Sequence, residues 1–408
     1  MKNDSFRIML TLGAALVLGL STGANAAKKS KTPDYVLGND FRLAARNAQA
    51  AMDMGDTVTA SARIGALEAA AHTGSEKYIA AALHMQLAAK QADFTAQRKA
   101  LNAMLESGGA PGSEIPYLRY LAGYFSFMLN ELKDCVAQIT YARQLGYDSP
   151  QATLMLADAH LRMGNYPEGM GFLSQAVTQQ RAAGGKADAS WYDRAVSFAY
   201  KAKDWSGLAS WYRQKITQYP APENWRSAIS NYLDNPALTS AMRLDLYRLV
   251  SARDALASER DYQAYAQAAV DNGQYGEAKA VIEAGRADGS LLTGDAAIAG
   301  MYKTAAARAT KDRAKLATQA AKAASAGEAA NGYLALGEYG RAAELYRTAL
   351  AQASADPGLI NTRLGIALAR SGDREGAQKV LSAVTGPWTD IAQFWLLWAS
   401  QTAAATPK

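Results

Sequence analysis

The sequence repeats itself, and this repetition restricts the chain to folds built by stacking copies of one small unit. Glycines mark three turns at Gly55, Gly164 and Gly273, and both intervals are 109 residues, which is three units of about 36. Further copies have their turns at Gly337 and Gly372. Each copy reads as a helix, a glycine turn and a second helix that opens with alanine. The period therefore predicts an all-α chain of about ten helical hairpins.

Small residues recur at fixed places in these copies, where two helices of a hairpin have to cross closely. A large side chain there would force the helices apart. In the first helix of a copy, the small residue is Ala157, Ala266, Ala330 or Gly365. In the second helix, it is Ala278, Ala342 or Ala377.

Two segments fit the period poorly, 223–255 and 294–324. Both still read as helix pairs, the first broken at Asn235-Pro236 and the second near Thr310. No Gly-rich or Pro-rich linker is long enough to separate domains, so we expect one continuous superhelix, with a bend at 220–222.

The turns Gly164-Asn165-Tyr166, Gly273-Gln274-Tyr275 and Gly337-Glu338-Tyr339, with the small residues around them, resemble the tetratricopeptide repeat (TPR). The resemblance implies a right-handed superhelix over residues 39–385. It also implies a concave groove, lined by first helices, that binds segments of other proteins.

The N-terminus has the pattern of a secretory signal peptide. Lys2 and Arg7 precede an apolar run from Ile8 to Leu20, and the small-residue site ends at Ala26. We expect cleavage after Ala26, a flexible leader over 27–38, and a periplasmic protein. The alternative, an uncleaved anchor, fits less well because the run is shorter than the ~18 residues that cross a bilayer.

The C-terminal segment differs from the repeats. Residues 386–400 follow Gly386-Pro387 and place Ile391, Phe394, Trp395 and Trp398 at helical spacing, which predicts a capping helix, with a disordered tail at 401–408. The alternative is a homodimer formed through the aromatic surface of Trp388–Trp398.

The charge balance is mild. A formal net charge of +6 spread over 408 residues does not indicate a nucleic-acid-binding protein, which would have its Lys and Arg residues clustered. A dense basic patch occurs at Lys28, Lys29 and Lys31.

The sequence has few residues or motifs that are typical of a catalytic site. The three histidines are far apart, Cys135 is the one cysteine, and no P-loop, H-E-x-x-H or G-x-S-x-G pattern is present. We expect no metal, no cofactor and no enzyme activity, and a buried structural role for Cys135.

An aromatic stripe is the first candidate site. Tyr117, Tyr120, Tyr124 and Phe127 lie on one face of one helix, where they would either grip an extended peptide or sugar chain, or pack in the core. The phasing implied by the resemblance adds polar groove candidates of both charges: Asp158, Arg162, Lys201, Arg226, Arg260, Gln263 and Gln267.

These features favour a non-catalytic periplasmic scaffold that binds a segment of an envelope protein, in outer-membrane assembly, secretion or envelope maintenance. The alternative is a glycan-binding accessory for exopolysaccharide export or cell-wall turnover, which would use the aromatic stripe.

Overall fold

The structure is a computed structural model, and it describes residues 35–292, 294–352 and 356–402. All regular secondary structure in these ranges is helical. Within each of the two compact units into which the described residues separate, helices adjacent in sequence pack against each other. The all-α architecture of paired helices is confirmed. The described residues separate into two compact units, unit 1 up to Ala187 and unit 2 from Asp188.

This division differs from the expected single superhelix. It falls just after the loop at 182–185, which separates two helical hairpins. The handedness and the number of hairpins stay predictions.

Unit 1 consists of four helix pairs. In chain order they are α1 (Asn39–Asp53), α2 (Thr57–Ala70), α3 (Gly74–Lys90), α4 (Phe94–Glu106), α5 (Ile115–Met128), α6 (Leu132–Gln144), α7 (Pro150–Arg162) and α8 (Tyr166–Ala182).

Unit 2 begins with three helix pairs and then departs from strict pairing. Its helices are α9 (Ala189–Lys201), α10 (Trp205–Gln218), α11 (Pro222–Tyr232), α12 (Ser240–Ala252), α13 (Glu259–Asp271), α14 (Tyr275–Ala287), α15 (Ala296–Ala320), α16 (Ala326–Ala335), α17 (Tyr339–Leu350), α18 (Pro357–Ser371), α19 (Arg374–Ser382) and α20 (Thr389–Thr402). Short 3-10 turns at Ala323–Ser325 and Gly386–Trp388 precede α16 and α20.

Side-chain caps set where many of these helices begin. The carboxylates of Asp56, Asp93 and Asp204 each accept a hydrogen bond from a backbone N–H in the first turn of the helix that follows. Thr73 and Glu76 form a reciprocal capping box at the start of α3. Such caps satisfy N–H groups that have no partner inside the helix.

The hairpin turns use the left-handed backbone conformation. Gly164 and Gly273 have φ angles of +82° and +71°, as the glycine turns of the repeat require. Weaker copies keep the same conformation without glycine: φ is +54° at Ala92, +62° at Asn130 and +56° at Lys203. These copies keep the turn although it is strained for a residue with a Cβ.

The small residues lie where the repeat places them. Ala157, Ala266 and Ala330 are completely buried. At Gly365 an added Cβ would overlap the side chain of Leu381, which lies on the partner helix α19. The packing role predicted for these positions is confirmed.

One of the two poorly phased segments was predicted wrongly. Segment 223–255 forms the expected pair α11 and α12, which is broken around Asn235-Pro236, but segment 294–324 contains a single helix, α15, that runs through Thr310. The sequence of α15 is rich in alanine and has no proline, and threonine alone does not end such a helix.

The last helix, α20, lies against helices far from it in sequence. Its side chains Ile391, Phe394, Trp395 and Trp398 are buried, as is Trp388 just before it. Besides its neighbours α18 and α19, it contacts α10 and α12. A cap that covered only the last repeat would contact neighbours alone, so unit 2 is closed on itself.

Directed polar contacts hold α20 in this position. The indole N–H of Trp395 donates to the carbonyl oxygen of Asp245 at 3.1 Å, and that of Trp398 donates to the carbonyl of Ala252 at 3.1 Å. Arg213 pairs with Asp390 at 3.0 Å. The tryptophans on which the homodimer alternative depended are therefore buried within the chain. They do not form the exposed aromatic surface that this alternative requires.

Among the described residues, none of the helices combines the length and the apolar character needed to cross a bilayer. The predicted signal peptide, most of the leader and residues 403–408 of the predicted tail lie outside the described ranges.

The left-handed turn at Lys203 gives a test of the repeat geometry. Lys203→Gly should raise the free energy of unfolding by roughly 0.5–1 kcal/mol, because glycine adopts this conformation without the Cβ penalty. Ala202→Gly, one residue earlier at φ −75°, is the matched control and should lower it. Urea unfolding of both variants measures the difference, and a destabilised Lys203→Gly would contradict the assignment of the turn.

Candidate functional site

The aromatic stripe of α5 is part of the core. Tyr120 and Tyr124 are each 7% exposed, Phe127 is 4% exposed, and Tyr117 is half-buried against the same cluster. The rings of Tyr120 and Tyr147 lie 4.7 Å apart between centroids. The hypothesis that this stripe grips a ligand is corrected, because its rings fill space between helices instead of facing a groove.

The other unit 1 candidates, Asp158 and Arg162, lie one turn apart near the end of α7. Asp158 is half-buried and Arg162 is exposed. The guanidinium carbon of Arg162 lies 4.2 Å from the centroid of the Phe127 ring, which is a cation–π contact. Arg162 therefore covers one end of the buried stripe.

Two of the unit 2 candidates, Arg226 on α11 and Arg260 on α13, are brought together by the fold. They line one cavity of about 460 Å³ with Arg243, Asp234 and Asp261, and we call this set the arginine cavity. Tyr247 contributes an aromatic wall. The two predicted arginines come from the first helices of successive hairpins, as the phasing of the repeat implied.

The carboxylates of the arginine cavity are already engaged. Arg226 donates from Nε to Asp261 at 2.9 Å and from Nη2 to Ser258 at 3.2 Å. Asp234 accepts a hydrogen bond from the hydroxyl of Tyr200 at 2.6 Å. Asp261 is thus paired with a cation, whereas the partner of Asp234 is neutral.

The remaining two arginines form no ion pair with any described residue. Arg243 donates to the backbone carbonyls of Leu233 and Asn235, at 2.7 Å and 3.2 Å, which are neutral acceptors. Arg260 is exposed and has no hydrogen bond or ion pair with any described residue. The cavity thus has mixed charge with an excess of positive charge, which suits an acidic group on a ligand.

The other unit 2 candidates lie outside this set. Gln263 and Gln267 continue along α13 from Arg260, and Gln267 donates to Asp271 at 2.7 Å. Lys201 is exposed at the end of α9, with its ammonium 5.9 Å from the centroid of the Phe198 ring.

A second charged cluster, absent from the sequence analysis, is buried inside unit 2. Asp245 on α12 pairs with Arg248 at 2.6 Å and with Arg363 of α18 at 2.9 Å. Arg248 also pairs with Glu277 of α14 at 2.6 Å. We call these four residues the buried charge network. Its two acids and two arginines balance, and each is at most 7% exposed.

The network is tied to neutral groups as well. Tyr265 donates to Glu277 at 2.8 Å, and Asn331 accepts from Arg363 and from Tyr346 at 2.7 Å each. The side-chain oxygen of Asn331 is therefore used inside the chain.

Burial acts to lower the pKa of Arg248, but the adjacent carboxylates of Glu277 and Asp245 outweigh it and hold the pKa well above its usual value. Burial also raises the pKa of Tyr265, and the charge of Glu277 raises it further. The raised pKa values keep Arg248 cationic and Tyr265 neutral at ordinary pH. This suits a structural link better than acid–base chemistry.

A larger cavity of about 520 Å³ borders the network. Arg370 lies in its wall, 4.9 Å from the centroid of the Tyr339 ring and 5.8 Å from that of Trp398. Asp254 and Asp288 lie in the same wall, so its charges are mixed as well.

In the part of the chain that the structure describes, no group of three His, Cys, Asp or Glu side chains is placed to hold a metal. His84 contacts Glu68 at 2.7 Å at an exposed position, and the other two histidines are not near it in sequence.

With this geometry in place, comparison with known proteins adds little beyond the fold. No family model matches the chain, and no curated protein matches it. Matching solved structures include the TPR domain of P58(IPK), with 12% identity, a TM-score of 0.24, and coverage of 85% of this chain and 83% of that one.

The complex of the TPR2AB domain of yeast Sti1 with pHSP90 shares 13% identity over 71% of this chain and 100% of that chain, with a TM-score of 0.26. The APC/C hetero-tetramer Cut9-Hcn1 shares 11% sequence identity over 88% of this chain and 80% of that chain, with a TM-score of 0.27. The hairpins of this chain are TPR-like. That statement depends on their own turns and small residues, since these superpositions are weak.

Sequence reasoning missed Arg243 and the buried charge network for related reasons. Arg243 lies in a segment whose phase was poor, so family phasing did not reach it. Asp245 and Arg363 are 118 residues apart, a separation that leaves no local pattern. The acids and arginines of this network are unusual only in their burial, which a sequence does not display.

The reactivity of the Cys135 thiol can be tested directly. It is completely buried, and burial raises the pKa of its thiol to about 12. Because the thiolate is the reactive form, a disulfide reagent at pH 8 should modify the folded protein very slowly and one thiol rapidly in urea. Rapid modification of the folded chain would contradict the structural role.

Proposed function

We propose that this chain is a non-catalytic scaffold that binds a segment of another protein, with the arginine cavity as the place where an acidic side chain of that segment is held. The observation that carries this proposal is that Arg243 and Arg260 form no ion pair, in a cavity wall that has three arginines and two aspartates. An acidic side chain there would gain charge-assisted hydrogen bonds, and the engaged carboxylates of Asp234 and Asp261 would disfavour a second acid nearby.

The size of the cavity supports a segment as ligand. Its volume of about 460 Å³ lies in the range of roughly 300–1,000 Å³ that is typical of small-ligand pockets, which is enough for a few side chains. Tyr247 supplies a flat ring against which an apolar neighbour of the acidic residue would pack.

We further propose that the protein works in the periplasm, where it would bind an envelope protein in outer-membrane assembly, secretion or envelope maintenance. The signal-peptide pattern that ends at Ala26 supports export. The glycan-binding alternative relied on the aromatic stripe of α5, and it loses its support because those rings are buried.

A photo-crosslinking residue at Ser230, an exposed position in the wall of the arginine cavity, tests this proposal in the intact cell. The expected result is a discrete crosslinked protein. Arg260→Glu should reduce that product by about tenfold or more, because a charge-assisted hydrogen bond contributes roughly 1.5–3 kcal/mol and glutamate adds repulsion.

Lys133→Glu is the matched control, since it makes the same charge change at an exposed position on α6 of unit 1. It should leave the crosslinked product unchanged. Equal products from the unsubstituted chain and from Arg260→Glu, or no protein product from Ser230, would refute the proposal.

A further inference from the structure

The long helix α15 exposes most of its surface. Only Ile298, Ala305 and Leu316 are buried among its 25 residues, which extend over about 37 Å. These three residues lie within about 20° of each other around the helix axis, so a narrow strip anchors α15 to unit 2.

The exposed part of α15 is strongly basic. Between Ala296 and Lys322 the one acidic residue is Asp312, and every basic side chain is exposed. We call these basic residues the lysine face; they are Lys303, Arg308, Lys311, Arg313, Lys315 and Lys322. The hairpin break predicted near Thr310 would have divided this set between two helices.

Most of these cationic side chains form no ion pair with other described residues. The side-chain ammonium groups of the four lysines have no hydrogen bond or ion pair with any described residue. Arg308 donates to the hydroxyl of Tyr275 at 2.5 Å, which is a neutral partner. Arg313 pairs with Glu338 at 3.3 Å, but the two side chains are 66% and 43% exposed, so this pair is weak.

The residues between these cations are small. Ala307, Thr310, Ala314 and Thr318 point outward, within about 80° of each other around the axis, opposite the buried strip. Lys311, Lys315 and Arg308 run along one side of them, within about 60°. The face is therefore nearly flat, with long cationic side chains at its edge.

We propose that the lysine face docks onto an anionic phospholipid membrane surface. Cationic side chains are attracted to the negative surface of such a bilayer. On α15, Lys303, Arg308, Lys311 and Lys315 lie within about 140° of each other around the helix axis, so their long side chains can reach one plane together. The exposed face has no large apolar or aromatic side chain, so the helix would lie on the headgroups without inserting.

The same observation disfavours a protein partner for this face. Protein interfaces need a buried apolar or aromatic centre, and alanine and threonine do not supply one. Neutral sugar polymers are bound mainly by aromatic rings, which the face also lacks. A layer of phosphate groups requires only cations at suitable spacing.

Sedimentation of the full-length protein with vesicles tests the proposal. Binding should be strong with vesicles of phosphatidylglycerol and phosphatidylcholine, weak with phosphatidylcholine alone, and reduced at high salt. Replacing Lys303, Lys311, Lys315 and Lys322 with glutamine should weaken binding to the anionic vesicles by at least about tenfold, while circular dichroism stays unchanged.

A control variant removes the same charge from exposed lysines on other helices, with Lys77, Lys99, Lys133 and Lys379 replaced by glutamine. Because both variants keep the N-terminal residues, any contribution from that segment cancels. The proposal is overturned if the two variants lose binding equally, or if poly-glutamate binds the lysine face while anionic vesicles do not. Neither outcome depends on Arg260, so this test is separate from that of the arginine cavity.

Discussion

The completely buried carboxylate of Asp245 determines how the helices of unit 2 pack together. It pairs at once with Arg248 on its own helix and with Arg363, 118 residues later. Buried charges are tolerated only when they are paired, so this carboxylate fixes α18 against α12. The Trp395 indole then bonds to the backbone carbonyl of the same residue. Repeat arrays normally contact only their neighbours, whereas these contacts join distant repeats.

Local signals in the sequence predicted the local structure well. The glycine turns, the small crossing residues and the caps act within about one repeat, so a sequence displays them directly. Even degraded copies such as that at Lys203 keep the left-handed turn. Closure of unit 2 was not predictable in the same way, since helical spacing shows which face of α20 is apolar but not which distant helix covers it.

Two features of the sequence were decided by different physical factors. A stripe of aromatic residues at helical spacing looks alike whether it faces a groove or the core, and the burial of Tyr120 and Tyr124 among neighbouring helices decided for the core. In α15 a break was predicted near Thr310, but an alanine-rich helix without proline or a left-handed turn simply continues. Neighbouring helices determined the first outcome, and the composition of the segment itself determined the second.

Charges that are paired hold unit 2 together, and charges left unpaired supply the proposed contacts of the arginine cavity and the lysine face. Hydrogen exchange of the Arg363→Met variant tests the central claim most directly. Because removal of one partner of a buried pair costs roughly 3–5 kcal/mol, backbone amides of α12 and α20 should exchange about a hundredfold faster together, while unit 1 is unaffected. Faster exchange confined to α18 would show that the network does not close the unit.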